Sequence, residues 1–196
     1  SIININADNG LGSVITKNQI LISDTLNYGK ITAVKHGNGR DWWVFCHKAW
    51  SDVFYSLLLT PMGVQGPFTQ HLGIYRTYDS GGVCFSPDGS KYAYYSPDED
   101  LEIFDFDRCT GLLTSKQFVA INDTAFGVSV AFSPNSKYLY APSTNYIYQF
   151  DVSVPNIAAT QTTVASWDSL YSPPPGGPLI SFPALFNLSQ LAPDGK

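Results

Sequence analysis

The sequence is short of charge. Asp, Glu, Lys and Arg make up 14% of its 196 residues, against about 25% in an ordinary globular domain. The net charge is −5, so a dense basic face for nucleic acid or an anionic membrane is excluded. No apolar run approaches the roughly 20 residues of a membrane helix, so no membrane insertion is expected. The chain opens in polar residues, and no signal peptide is expected at Ser1; a trimmed product would look the same. Cysteine is scarce. Cys46, Cys84 and Cys109 fit no zinc spacing, and either one disulfide of open pairing or none is expected. His36, His47 and His71 fall beside a turn, at a strand end and in a connection. Solvated or capping roles are expected for them, not a metal or catalytic trio. No metal site and no cofactor are expected.

What the chain does have is a repeat. Gly82 to Asp107 reads GVCFSPDGSKYAYYSPDEDLEIFDFD, and Gly127 to Asp151 reads GVSVAFSPNSKYLYAPSTNYIYQFD. In the first copy a short apolar run, Val83 to Phe85, meets the turn Ser86-Pro87-Asp88-Gly89. Proline presets the first corner and glycine accepts the left-handed one. Tyr92 to Tyr95 returns as a strand, Ser96 to Asp100 turns again, and Leu101 to Phe106 is a third strand. That is an antiparallel meander. In the second copy Ser133-Pro134-Asn135-Ser136 lacks the glycine and reads one residue short, so its turn is expected to differ. Fainter traces begin at Val34 and at Leu191.

The anchors Val34, Phe85, Phe132 and Leu191 lie 51, 47 and 59 residues apart, room for four short strands each, as in propeller blades of about 40–50 residues. Leu101 to Phe106 carries large apolar groups on both faces. An open sheet with one wet face would alternate, whereas a blade between two neighbours would not. The expected fold is all-β: a β-propeller of four-stranded antiparallel blades forming an incomplete ring of about three blades plus part-blades. Residues 1–30 are read as outer strands of a preceding blade, with Gln19 to Asp24 as the strand. Residues 31–80 and 81–125 are two blades, 126–186 a third with a Pro-rich insertion (Pro173 to Pro178), and 187–196 the first strand of a following blade. So few blades cannot close a ring of about 4–8. The chain is therefore expected to be a fragment that meets the rest of its own polypeptide, or to meet another copy.

The FSPDGSKYAY and FSPNSKYLY strings resemble the YVTN and TolB-type, WD-like propeller repeats. More narrowly, His36-Gly37-Asn38-Gly39-Arg40-Asp41-Trp42-Trp43 and Phe104-Asp105-Phe106-Asp107-Arg108-Cys109-Thr110-Gly111 resemble strings of large secreted propeller proteins of Bacteroidota, cargo of type IX secretion. The resemblance implies an extracellular or cell-surface location. It brings no catalytic residues. It also implies O-glycosylation at Asp-Ser/Thr followed by a small or apolar residue, which Thr25, Thr124 and Ser169 match; the same pairs also make loop turns. The N-linked patterns at Asn122 and Asn187 are discounted in a bacterial chain.

Other clusters have plain readings. Asp98-Glu99-Asp100 is expected as a solvated hairpin tip, not a calcium loop. Asp105 recurs as Asp151, which favours a turn role over paired acid–base carboxylates. Gly127 to Ala131 runs into a strand, not the helix a nucleophile elbow needs. Trp42, Trp43 and Trp50, with Tyr55, Tyr75 and Tyr78, are candidate ligand-facing aromatics for a glycan or protein, with blade packing as the plainer reading. The resulting expectation is a non-enzymatic scaffold or adhesion module. The alternatives are a propeller enzyme of lactonase or lyase type and a structural subunit assembling between chains.

Overall fold

The computed structural model describes residues 2–77, 81–122, 129–168, 171–172, 182–183, 186 and 189–190. Three four-stranded antiparallel sheets follow one another along the chain. The first is β3 (Leu26–Lys35), β4 (Trp42–Lys48), β5 (Ser51–Thr60) and β6 (Gly63–Arg76). The second is β7 (Gly82–Phe85), β8 (Lys91–Ser96), β9 (Asp100–Asp107) and β10 (Leu112–Val119). The third is β11 (Ala131–Phe132), β12 (Tyr138–Pro142), β13 (Tyr146–Asp151) and β14 (Thr162–Ser166). Each is a simple meander, and the three do not close a ring. Two small hairpins complete the strands: β1 (Ile2–Asn4) with β2 (Ser13–Thr16), and β15 (Tyr171–Ser172) with β16 (Phe182–Pro183). Gln19 to Asp24, expected as a strand, has no ladder. Ile20 is 77% exposed, so no neighbouring sheet rewards an extended segment there. No helix among the described residues is long and apolar enough to cross a membrane.

The two-faced apolar strands explain the stacking. Along β8, Tyr92 and Tyr94 face the first sheet, and Ala93 and Tyr95 face the third. Along β9, Phe104 and Phe106 face the first, and Leu101 and Ile103 the third. The middle sheet is thus buried on both sides, as a blade is. In the first seam Phe45 meets Phe85, Tyr92 and Phe106 at ring separations of 5.4, 6.1 and 5.3 Å. Phe54 lies edge-on to Phe104 at 5.7 Å. Burying one such ring is worth roughly 1.5–3 kcal/mol, so the seams dominate the stability.

The two repeat turns turn out to be the same turn. Ser86 N bonds to Lys91 O and Ser133 N to Tyr138 O; Gly89 N bonds to Ser86 O and Ser136 N to Ser133 O. Ser86 Oγ reaches Asp88, and Ser133 Oγ reaches Asn135, both at 2.6 Å. Ser136 adopts φ 58° where Gly89 has 71°. The expected difference in turn is therefore corrected: Ser136 takes the left-handed position, and its Oγ accepts from Asp88 N of the first repeat at 3.1 Å. The missing residue lies one turn later. Ser96 faces Asp100, four residues on, whereas Ser143 N meets Tyr146 O, three residues on.

Candidate functional site

The first strands of the three sheets, β3, β7 and β11, lie side by side at one edge of the stack. Between them runs a cleft of about 400 Å³, walled by Thr32, Val83, Cys84, Phe85, Val130 and Phe132 and capped by Ser189 and Gln190. A second lobe of about 420 Å³ shares Thr32, Cys84, Phe85 and Pro87 with it, and opens toward the β3–β4 turn, where Lys35, Trp42, Ser86 and Arg108 line it. The two lobes form one axial cleft. Its walls mix apolar side chains, Val83, Phe85, Val130 and Phe132, with the polar Thr32, Ser189 and Gln190. Cys84 is its one thiol; burial pushes it up to about 12, so it is no thiolate nucleophile at neutral pH. Ser86 is held by Asp88. Ser189 bonds to Ser129, whose Oγ lies 3.0 Å from its own.

A charged cluster fills the opposite, loop end of the first seam. Arg76, at the end of β6, ion-pairs with Glu102 of β9, and both are 0% exposed. Lys116 of β10 reaches Glu102 at 3.3 Å, and Glu99 stands 4.0 Å from Arg76. The Arg76 guanidinium lies over the Tyr94 ring at 3.5 Å. Lys30 sits 4.3 Å from the centroid of the same ring and donates to Tyr95 O at 2.8 Å. Asn27 donates to the Tyr94 hydroxyl at 3.0 Å and faces His47 Nδ1 at 3.3 Å. Burial first, and then Arg76 and Lys30, push His47 down to about 3. It is a neutral ring at physiological pH. Sealed as it is, this cluster locks two sheets together and offers nothing to a substrate. No set of three or more His, Cys, Asp or Glu that could hold a metal occurs among the described residues.

The residues singled out from sequence scatter across the fold. His47 is wholly buried, which corrects its reading as solvated or capping. His36 does cap, accepting Asn38 N at 2.9 Å, and His71 pairs with Asp52 at the surface. Asp98-Glu99-Asp100 is a solvated tip only in part: Asp98 is exposed, whereas Glu99 and Asp100 are half-buried. Glu99 accepts from Thr77 N and Oγ1, and Asp100 from Ile121 N. These partners lie 22 and 21 residues away, and no local string shows them. Asp105 pairs with Lys91 at 2.7 Å, and Asp151 caps Ser153. Trp43 is buried in the first seam, whereas Trp42 and Trp50 are 44% and 54% exposed. The Tyr55 hydroxyl donates to Asp24, and Tyr75 is exposed. Thr25 is exposed, its amide bonded to Asp24. Thr124, Ser169, Tyr78, Gly127 and the loop from Pro173 to Pro178 lie outside the described residues. All three cysteines are free. Sequence reasoning missed Arg76, Glu102, Lys35 and Arg108. The available signal was Glu102, an acid flanked by Leu101 and Ile103 in a strand with large apolar groups on both faces.

No protein-family model matches the chain, and no curated protein matches it. Solved structures do. The holo PQQ domain of pyranose dehydrogenase from Coprinopsis cinerea is similar with TM-score 0.51 at 14% identity, over 73% of this chain and 39% of that one. A Bacteroides fragilis protein proposed to be a 6-phosphogluconolactonase gives 0.47 at 20%, over 68% and 37%. A gluconolactonase from Xanthomonas campestris gives 0.44 at 14%, over 81% and 53%. The chain thus spans 37–53% of the length of these structures. At such identities the likeness is one of fold, and the fold is a β-propeller. The expectation of a non-enzymatic scaffold is corrected here. A structure of this shape carries the name of a dehydrogenase domain, so the absence of a catalytic string in the repeats was no ground for setting an enzyme aside.

Proposed function

We propose that the chain forms one wall of the ligand site of a propeller enzyme of lactonase type, the alternative drawn from the sequence. The axial cleft carries this reading. A cavity of about 400 Å³ has the size of a small-molecule site, which is a few hundred Å³. An adhesion surface would be broad and flat. Thr32 and Gln190 supply the hydrogen-bonding groups. The acid–base groups of the reaction are assigned to blades that complete the ring, since Cys84 and Ser86 are unsuited to the task. Those blades belong to the same polypeptide or to a second copy. Ile31 at 67% exposure and Val164 at 48% support this, being apolar groups on the outward faces of the first and third sheets.

The same proposal places the protein at the cell surface or outside it, on the strength of the two strings that resemble secreted Bacteroidota propellers. Fractionation of the native cells with an antibody to this chain checks the location; recovery in the cytosol alone would refute it. The activity is checked with a panel of aldonolactones. Hydrolysis above the uncatalysed rate is expected, and Thr32→Trp, which fills the cleft, should abolish it. Absence of turnover in the ring-complete protein, or full activity of Thr32→Trp, would overturn the reading.

A further inference from the structure

We infer that the turn-end lobe of the axial cleft is a binding subsite for a ring-bearing oxyanion, a carboxylate or phosphate attached to a sugar ring. The inference rests on the axial cleft being the ligand site, but not on the reaction being hydrolysis.

The argument begins with where the cations go. Most of the Lys and Arg in this acidic chain are already matched. Arg40 pairs with Asp41, Lys48 with Asp24, Arg76 and Lys116 with Glu102, Lys91 with Asp105 and Lys137 with Asp151. Lys30 is bonded to Tyr95 O. Among the described residues, Lys17, Lys35 and Arg108 are the cations with no ion pair or side-chain hydrogen bond. Lys17 lies beyond the first hairpin. Lys35 and Arg108, from different sheets and 73 residues apart in sequence, line the same lobe.

That lobe is built. Arg108 runs across the seam: a Cβ placed on Gly89 would fall 2.5 Å from Arg108 Cδ and 2.9 Å from Val34 Cγ2. Gly89 and Val34 therefore hold its stem while the guanidinium stays at the mouth. Lys35 and Trp42 are cross-strand partners, with Nζ 6.0 Å from the indole centroid. The acids nearby are spoken for. Asp88 accepts from Ser86 and Ser90, and Asp107 from Cys109 N. A concave lobe of about 420 Å³ thus presents two uncompensated cations, a half-exposed indole and the Thr32 hydroxyl. A guanidinium grips a carboxylate or phosphate in a two-pronged bond, an ammonium adds a point charge, and an indole face suits the apolar face of a sugar ring.

The test is a titration followed by tryptophan fluorescence and calorimetry, with glucuronate, glucose 6-phosphate, glucose and inorganic phosphate as probes. Saturable binding of glucuronate, glucose 6-phosphate or both is expected, weakening as salt rises; which of the two binds tells whether the carboxylate or the phosphate is the natural group. Glucose should bind at least tenfold more weakly. Lys35→Gln/Arg108→Gln should weaken the anions at least tenfold. It keeps the Arg108 carbonyl that Trp43 uses, and Lys17→Gln should change nothing. Trp42→Leu should weaken the ring-bearing anions but not inorganic phosphate. No saturable binding of either ring-bearing anion would overturn the subsite. So would equal loss in Lys17→Gln, or inorganic phosphate binding as tightly as the sugar anions. Lactone turnover read on the same samples separates the two proposals. Anion binding without turnover refutes hydrolysis alone, and turnover without saturable binding of either ring-bearing anion refutes the subsite alone.

Discussion

The Trp43 indole nitrogen donates to the Arg108 carbonyl at 2.9 Å, so the first sheet holds the β9–β10 turn of the second. Gly37 N bonds to the same carbonyl at 3.0 Å, and His36 Nε2 lies 3.1 Å from Cys109 O. Gly111 lets the turn close against the indole. Its φ is 74°, and a Cβ there would fall 2.7 Å from the Trp43 ring. Gly111→Ala should therefore cost roughly 2–3 kcal/mol through backbone strain and the displaced ring. Trp43→Phe should cost about 2 kcal/mol through the lost bond and lost volume. Urea midpoints measure both, and an unchanged midpoint for Gly111→Ala would refute the clamp.

The sequence already held this clamp in pieces. The string from His36 to Trp43 and the string from Phe104 to Gly111 both stood out, but nothing in either says that they touch. That is settled by stacking one blade on the next. The strand content, the meander and the two-faced burial of Leu101 to Phe106 were readable because side-chain alternation is local. The register of the second repeat was misread because the shared Ser-Lys-Tyr letters align one residue away from the shared bonds. Lys91 O and Tyr138 O are the equivalent acceptors. The site suffered more. Lys35 and Arg108 carry no motif, and only their common lack of a counter-ion, visible in three dimensions, marks them.

The equivalent turn positions should respond unequally. At Gly89 a side chain meets Arg108 and Val34 and a left-handed φ; Gly89→Ser should lose about 2 kcal/mol. Ser136→Gly relieves a left-handed serine but forfeits the bond from Asp88 N, 3.1 Å. The two effects oppose each other at about 1 kcal/mol each, so stability should change little. Equal losses at the two positions would show that the turns are not built alike.

Arg76 and Glu102 should be worth more broken than replaced. Arg76→Met leaves a buried carboxylate with only Lys116 in ion-pair reach, and a loss of about 3–5 kcal/mol is expected. Adding Glu102→Gln should recover part of it. A double-mutant cycle by chemical denaturation reads the coupling. Strictly additive losses would mean the pair is not coupled.

His47 sets a pH window. Its folded value is about 3, against about 6.5 in an unfolded chain. Below 6.5 the unfolded chain takes up a proton that the folded chain refuses, so stability falls as pH drops from 6.5 toward 3. The slope approaches about 1.4 kcal/mol per pH unit. Asp24 and Asp41 also lie below the usual carboxylate range, each through the cation bonded to it, and their loss in acid comes below about pH 4. Between pH 4.5 and 6.5 the slope belongs largely to His47. Its ring resonances should not titrate in that interval, and His47→Gln should flatten the stability profile. A His47 midpoint near 6 in the folded protein would refute the burial argument.

The thiols should separate by position. Burial raises Cys46 to about 11 and Cys84 to about 12, while Cys109 is exposed on the β9–β10 turn. Thiolates react and thiols do not, so a disulfide reagent at pH 8 should label one cysteine in the native protein and all three in denaturant. Peptide mapping should place the fast label on Cys109. A bulky label there is expected to disturb the clamp as well, because a Cβ on Gly37 would already sit 2.5 Å from Cys109 Sγ. The labelled protein should unfold at lower urea than the unlabelled one. Fast labelling of Cys84 instead would show that the axial cleft opens to reagent far more widely than its packed walls allow.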